Sequence, residues 1–175
     1  MFKRILIGIT VIVLAFAAFV ASRPSTYRVE RSVVVEAPAA KPYARVVDFH
    51  RWEGWSPWAK LDPAMKLDFA GPESGVGATY HWKGNDKVGE GRMTITGAVP
   101  DQRIEVKLEF LKPWEQTSLT VFTFAPDPGG TKVTWSMSGE HDFVGKLFAV
   151  FMDMDGMVGP DFEKGLAALK ERSRE

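Results

Sequence analysis

The chain has 175 residues, 45% of them apolar and 25% charged, with 22 basic residues balancing 22 acidic ones and no cysteine. That length suits one domain whose core stands without covalent staples. The missing cysteines exclude disulfides, thiolate catalysis and cysteine-ligated zinc, and zero net charge argues against a nucleic-acid ligand, which calls for a basic excess.

Lys3 and Arg4 make a short basic head, and Ile5 to Ser22 then carries no charge. As a helix that stretch spans roughly 27 Å, enough to cross a hydrocarbon core. Pro24 discourages helix beyond it. A cleaved signal peptide has the same layout. Cutting after Ala17 would leave apolar Ala18 to Ala21 on the mature end, and Phe19 is too bulky for the −3 place of a cut after Ala21. An uncleaved anchor fits better. Lys3 and Arg4 place the N-terminus inside, against opposing charge from Arg23, Arg28 and Arg31. The expectation is a single-pass protein with an extracytoplasmic (periplasmic) domain: residues 1–23 as anchor, with residues 5–22 in the membrane, and residues 24–175 as the domain.

Tyr27 to Ala37 is rich in β-branched residues and reads as a strand, Ala39 to Phe49 as a short helix, and Trp52 to Pro63 as a loop or broken helix. Strand patterns follow at 76–82, 87–97, 103–111, 118–124 and 131–139, bounded by glycine or proline turns. In the third of these Ile104, Val106, Leu108 and Phe110 share one face, and Arg103, Glu105, Lys107 and Glu109 the other. From Asp142 the period changes. Phe143, Leu147, Phe151 and Met154 recur at helical spacing, Gly159-Pro160 interrupts, and Phe162, Leu166 and Leu169 form a stripe toward the C-terminus. This order predicts an α+β domain, with a curved antiparallel β-sheet wrapped around a long C-terminal helix and one transmembrane helix before it.

Trp52-Glu53-Gly54-Trp55-Ser56-Pro57-Trp58, Gly75-Val76-Gly77-Ala78 leading to Trp82-Lys83-Gly84-Asn85, Gly89-Glu90-Gly91, Gly130 to Trp135, and Phe162 to Leu166 stand out as motifs. In these stretches the chain resembles the START-like, or SRPBCC, superfamily, in its polyketide cyclase/dehydrase branch. The resemblance covers roughly Tyr27 to Lys170. It implies a helix-grip fold with a cavity for a hydrophobic ligand between sheet and helix, and it says little about activity.

By alternation Tyr80, Trp82, Met93, Phe110, Trp135 and Met137 lie on the concave sheet face. Phe151 and Met154 belong to the facing helix, where Met152 and Met157 are further candidates. Trp55 and Trp58, with Trp52, form either a lid over the cavity or a plug of the core. These residues are the expected lining: Trp55, Trp58, Tyr80, Trp82, Met93, Phe110, Trp135, Met137, Phe151 and Met154. His50, His81 and His141 are scattered, without metal-ligand spacing. Gly89-Glu90-Gly91 lacks the third glycine of a dinucleotide loop. No catalytic set, metal or cofactor is expected. The reading is a membrane-anchored binder of a small hydrophobic ligand, lipid or polyketide-like. The alternatives are a cyclase/dehydrase-type enzyme using Tyr80, His81, Glu90 and Arg92, or a protein-interaction module at the membrane.

Overall fold

In the computed structural model, which describes residues 2–175, helix α1 (Phe2–Ala21) precedes strand β1 (Thr26–Val35), helix α2 (Ala40–Val46) and a 3-10 helix (Phe49–Gly54). Six strands follow: β2 (Lys66–Ala70), β3 (Thr79–Lys83), β4 (Glu90–Val99), β5 (Arg103–Lys112), β6 (Gln116–Asp127) and β7 (Gly130–Glu140). Helices α3 (Phe143–Ala149) and α4 (Met154–Arg172) close the chain. The seven strands form one curved antiparallel sheet in the order β1-β7-β6-β5-β4-β3-β2. The meander therefore has six strands, and β1 returns to pair with the last of them.

Beyond Lys3 and Arg4 helix α1 is almost wholly apolar, and 6% of its most apolar stretch is buried within the protein. It is long and apolar enough to cross a membrane. The Thr10 and Ser22 hydroxyls donate to the Leu6 and Phe19 carbonyls at 3.0 and 2.7 Å, so both are paired within the segment itself.

Two differences from the predicted elements have local causes. Strand β2 is absent from the sequence reading: it is an edge strand with only Phe69 half-buried, so KLDFA carries no alternation. The C-terminal helical region breaks at 150–153 rather than at Gly159-Pro160. Asp153 takes an extended conformation and its carboxylate accepts from the Asp155 N–H at 3.1 Å, which starts α4 afresh. Pro160 then lies inside α4.

The outer sheet face is charged, as β5 predicts: Arg92 pairs with Glu109 at 3.0 Å and Lys107 with Glu109 at 2.7 Å. The inner face is apolar, with Ile95, Ile104, Val106, Phe122, Val133 and Trp135 at most 2% exposed. Helix α4 packs on β1, β7, α2 and the 3-10 helix, burying Phe162, Leu166 and Leu169. One charge faces inward. Arg31 of β1, opposite Trp135 in register, reaches Asp155 at 2.8 Å and Glu163 at 2.7 Å on α4.

Candidate functional site

The central space between sheet and helix is filled by rings. Trp135 stacks on Phe162 with centroids 4.0 Å apart and on Phe122 at 4.9 Å. Trp55 and Trp58 meet Trp135 edge-on at 5.6 and 5.7 Å, and Trp52 contacts Trp55 at 4.7 Å. Gly165 permits this approach, since a Cβ there would stand 2.8 Å from the Trp135 ring. The 3-10 helix is fixed from below by its own indoles. Trp52 Nε1 donates to the Val46 carbonyl at 2.9 Å and Trp55 Nε1 to Arg45 at 3.1 Å. The sequence left lid and plug open, and here the tryptophans plug the core. Among the described residues the buried Trp135 Nε1 finds no acceptor.

Toward one end the filling stops. Strand register places Tyr80 opposite Met93, Met93 opposite Leu108, Leu108 opposite Ser118, Ser118 opposite Gly139, and Gly139 opposite Tyr27. This row crosses six strands on the inner face. The next row inward, Ala78, Ile95, Val106, Thr120, Met137 and Val29, is buried throughout. In the outer row Tyr80, Met93, Leu108 and Tyr27 are each half-buried. Met154 and Val158 of α4 are likewise only partly buried against the core. The inner face therefore ends in a half-buried, largely apolar row, with one polar pair at its β1 side, where Tyr27 Oη and Ser118 Oγ lie 2.7 Å apart.

The β3 end of this row is aromatic. Tyr80 contacts Phe49, Phe69 and Trp82 at 5.9, 5.4 and 6.1 Å, and Trp82 meets Phe110 edge-on at 6.0 Å. Trp82 lies flat over Gly91, where any Cβ would overlap the ring, and its Nε1 donates to Val88 O at 3.0 Å. Burial, reinforced by Glu53, pushes the Tyr80 phenol up to about 12, so it is a neutral donor at ordinary pH.

Of the ten residues singled out in the sequence, Tyr80, Met93 and Phe110 are half-buried on the inner sheet face, Trp82 is buried beside them, and Met154 is half-buried on α4. Trp55, Trp58, Trp135 and Met137 belong to the packed centre. Phe151 lies elsewhere: it is 73% exposed in the link between α3 and α4, because the helix that would have turned it inward ends at Ala149. Met152 and Met157 are exposed as well. The sequence reading missed Leu108 and Tyr27, although Leu108 stands in the cleanest alternating strand.

Three of the four polar candidates point away. His81 pairs in register with Arg92 on the outer face. His81 Nε2 lies 3.5 Å from Glu90, which Lys112 also approaches at 3.1 Å. Lys112, then Lys83 and His81, hold the Glu90 carboxyl below the usual range. Two clefts open elsewhere. One of about 320 Å³ runs beside Phe49, Phe69 and Ala78 at the β2 edge. The other, of about 470 Å³, lies between Arg45, Trp55 and Arg172.

A seven-stranded antiparallel sheet gripping a C-terminal helix, with an apolar inner face open at one end, defines a START-like helix-grip domain. Residues 26–174 match the family described as polyketide cyclase/dehydrase and lipid transport, and the chain belongs to that family. No curated protein matches the chain. Among solved structures, a protein from Chromobacterium violaceum is 17% identical with a TM-score of 0.60, covering 87% of this chain and 99% of its own. An uncharacterized protein from Rhizobium leguminosarum is 19% identical with a TM-score of 0.62, covering 86% and 96%. The di-domain ARO/CYC BexL from the BE-7585A biosynthetic pathway is 17% identical at TM-score 0.60, over 89% of this chain and 52% of BexL. At such identities the likeness is one of fold.

Proposed function

We propose that this protein binds a small hydrophobic molecule, lipid or polyketide-like, in the trough between Tyr80, Met93, Leu108, Phe110, Met154 and Tyr27, while α1 holds the domain at a membrane on its extracytoplasmic side. The observation that carries the reading is the row Tyr80–Met93–Leu108: largely apolar, facing inward, and left half-exposed where the next row inward, Ala78–Ile95–Val106, is buried. Apolar side chains on an inner face without a cover are the surface a hydrophobic ligand completes. Methionines at 93 and 154 adapt to varied shapes. The Tyr27–Ser118 pair, at the β1 side of the row, offers hydroxyls to a polar group of the ligand. The family description, which includes lipid transport, supports the same class of ligand. Lys3 and Arg4 support the orientation of α1.

The test is native mass spectrometry of the full chain released from detergent micelles, with organic extraction of the same sample. A bound apolar molecule at near one per chain is expected. A chain that arrives bare, and that leaves an environment-sensitive apolar probe unshifted, contradicts the proposal. Alkaline phosphatase fused after Glu175 should be active, and an inactive fusion contradicts the orientation.

A cyclase-type reaction is the second reading, favoured by one observation: burial holds the inward-facing Tyr80 phenol neutral. Such chemistry would work mainly by holding a reactive chain folded, because His81, Glu90 and Arg92 stand on the opposite face.

A further inference from the structure

Helix α3 is an anomaly for a surface helix. In its sequence FVGKLFA only Lys146 is charged, and Phe143, Val144 and Phe148 are each more than half exposed. Phe151 and Met152 continue the apolar surface into the link before α4, at 73% and 46% exposure. Trp114, from the β5–β6 turn, joins them: it is 73% exposed, with its ring 6.2 Å from Phe148. Contiguous exposed apolar surface of this kind marks a contact with another phase or partner.

Where the patch lies identifies the occupant. Helix α3 packs against α1, the one helix apolar and long enough to span a bilayer among the described residues. Lys146 Nζ donates to the carbonyl of Ala21, the last residue of α1, at 3.3 Å. Arg23, just beyond, lies over the Phe19 ring at 5.4 Å. These are the residues expected at a membrane–water boundary: cations that reach outward from a helix end, and an amphipathic indole. The patch thus begins at the height where α1 leaves the hydrocarbon. A protein partner would need its own surface beside α1, whereas the bilayer is already there.

We infer that α3, the 150–153 link and Trp114 lie in the interface of the membrane that α1 spans, as a second, non-spanning contact. This rests on the reading of α1 as a membrane span. It also orients the trough. The strand ends Lys83, Glu90, Lys112, Gln116 and Glu140 share the edge from which β1 starts after α1, so the half-exposed row lies on the membrane side and the fully packed core on the far side. The trough opens beside the bilayer, and its ligand is a molecule dissolved there rather than in water.

The chain has no cysteine, so single labels are straightforward. Phe151→Cys, Val13→Cys and Gln102→Cys in the full chain, each carrying a nitroxide, would be reconstituted into phosphatidylcholine–phosphatidylglycerol vesicles. Collision with oxygen and with a water-soluble nickel chelate then reports depth. Gln102, in the exposed β4–β5 turn at the opposite end, should favour the chelate. Val13 should favour oxygen, and Phe151 should side with Val13, at a shallower depth. A Phe151 label as open to the chelate as the one at Gln102, with Val13 still shielded, overturns the interfacial contact and leaves the anchor standing. A Val13 label open to the chelate overturns both.

Discussion

Gly159 of α4 sits against the guanidinium of Arg31: a Cβ at that position would occupy the space of Arg31 Nη2. The arginine crosses the helix at this glycine and pairs with Asp155 one turn before it and Glu163 one turn after it. The Arg31 hydrogen bonds hold the Asp155 carboxyl below its ordinary range. A glycine inside a helix ordinarily costs about 1 kcal/mol against alanine, and here it leaves room for the arginine that joins α4 to β1.

Gly159→Ala should therefore push the Arg31 guanidinium aside, a shift the flexible end of a long side chain can make, so that the lost pairing offsets the helix-propensity gain of alanine. With Arg31→Ala already present, the same change should be stabilising, because only helix propensity remains. Denaturant unfolding of the four chains of this cycle measures both. Equal effects in the two backgrounds would contradict the crossing.

Phe162 and Trp135 carry the packed centre. Phe162→Ala should cost about 3–5 kcal/mol, the range for truncating a buried ring. Trp135→Phe should cost less than about 1.5 kcal/mol, since it also removes a buried N–H without an acceptor. The exposed Phe151→Ala should stay within about 0.5 kcal/mol in detergent. Thermal unfolding ranks the three.

Met93 and Arg92 are neighbours on β4 with opposite outlooks. Met93→Lys places a charge in the trough and should abolish binding of an apolar fluorescent probe while the fold persists, as Met93 is only half-buried. Arg92→Ala, on the outer face, should bind the probe as the unaltered chain does. Titration by fluorescence separates them, and equal losses would place binding elsewhere.

Stability should fall at both ends of the pH scale. Lys170 and Arg174 hold Glu36 below the usual carboxyl range, Lys112 does so for Glu90, and Arg31 for Asp155. Depressed carboxyls stabilise above their unfolded values, about 3.9–4.3, and lose that contribution as pH falls past them. Tyr80 runs the other way. Raised from 10.0 to about 12, it stabilises below the unfolded value and loses this between pH 10 and 12. Melting temperature against pH should show both declines, and Tyr80→Phe should blunt only the alkaline one.

Much of this architecture was legible because the sheet solvates one face. Arg103 to Phe110 alternates charged and apolar residues, and that alternation fixed both the strand and the side that Phe110 and Leu108 take. The meander, the final amphipathic stripe and the apolar α1 followed from similarly strong periods. Strand β2 was illegible because an exposed edge strand buries almost nothing. The helix break was misplaced because Gly159-Pro160 looks like a terminator, whereas Gly159 serves Arg31 and the signal lay in Asp153. The inner-face charge of Arg31 could not be inferred, since its partners come from a helix over a hundred residues away. Alternation found which residues face inward, but not how far the tryptophan segment fills the space. That depends on the 4.0 Å stacking of Trp135 on Phe162, a tertiary fact.

The most direct measurement is photo-crosslinking from inside the trough. A benzophenone amino acid replacing Met93 in the full chain, irradiated in intact membranes, should yield a small-molecule adduct at residue 93 on mass spectrometry, and the same group at Gln102 should yield none. Adducts at neither position, or equally at both, would contradict a hydrophobic molecule held between Tyr80, Met93 and Leu108.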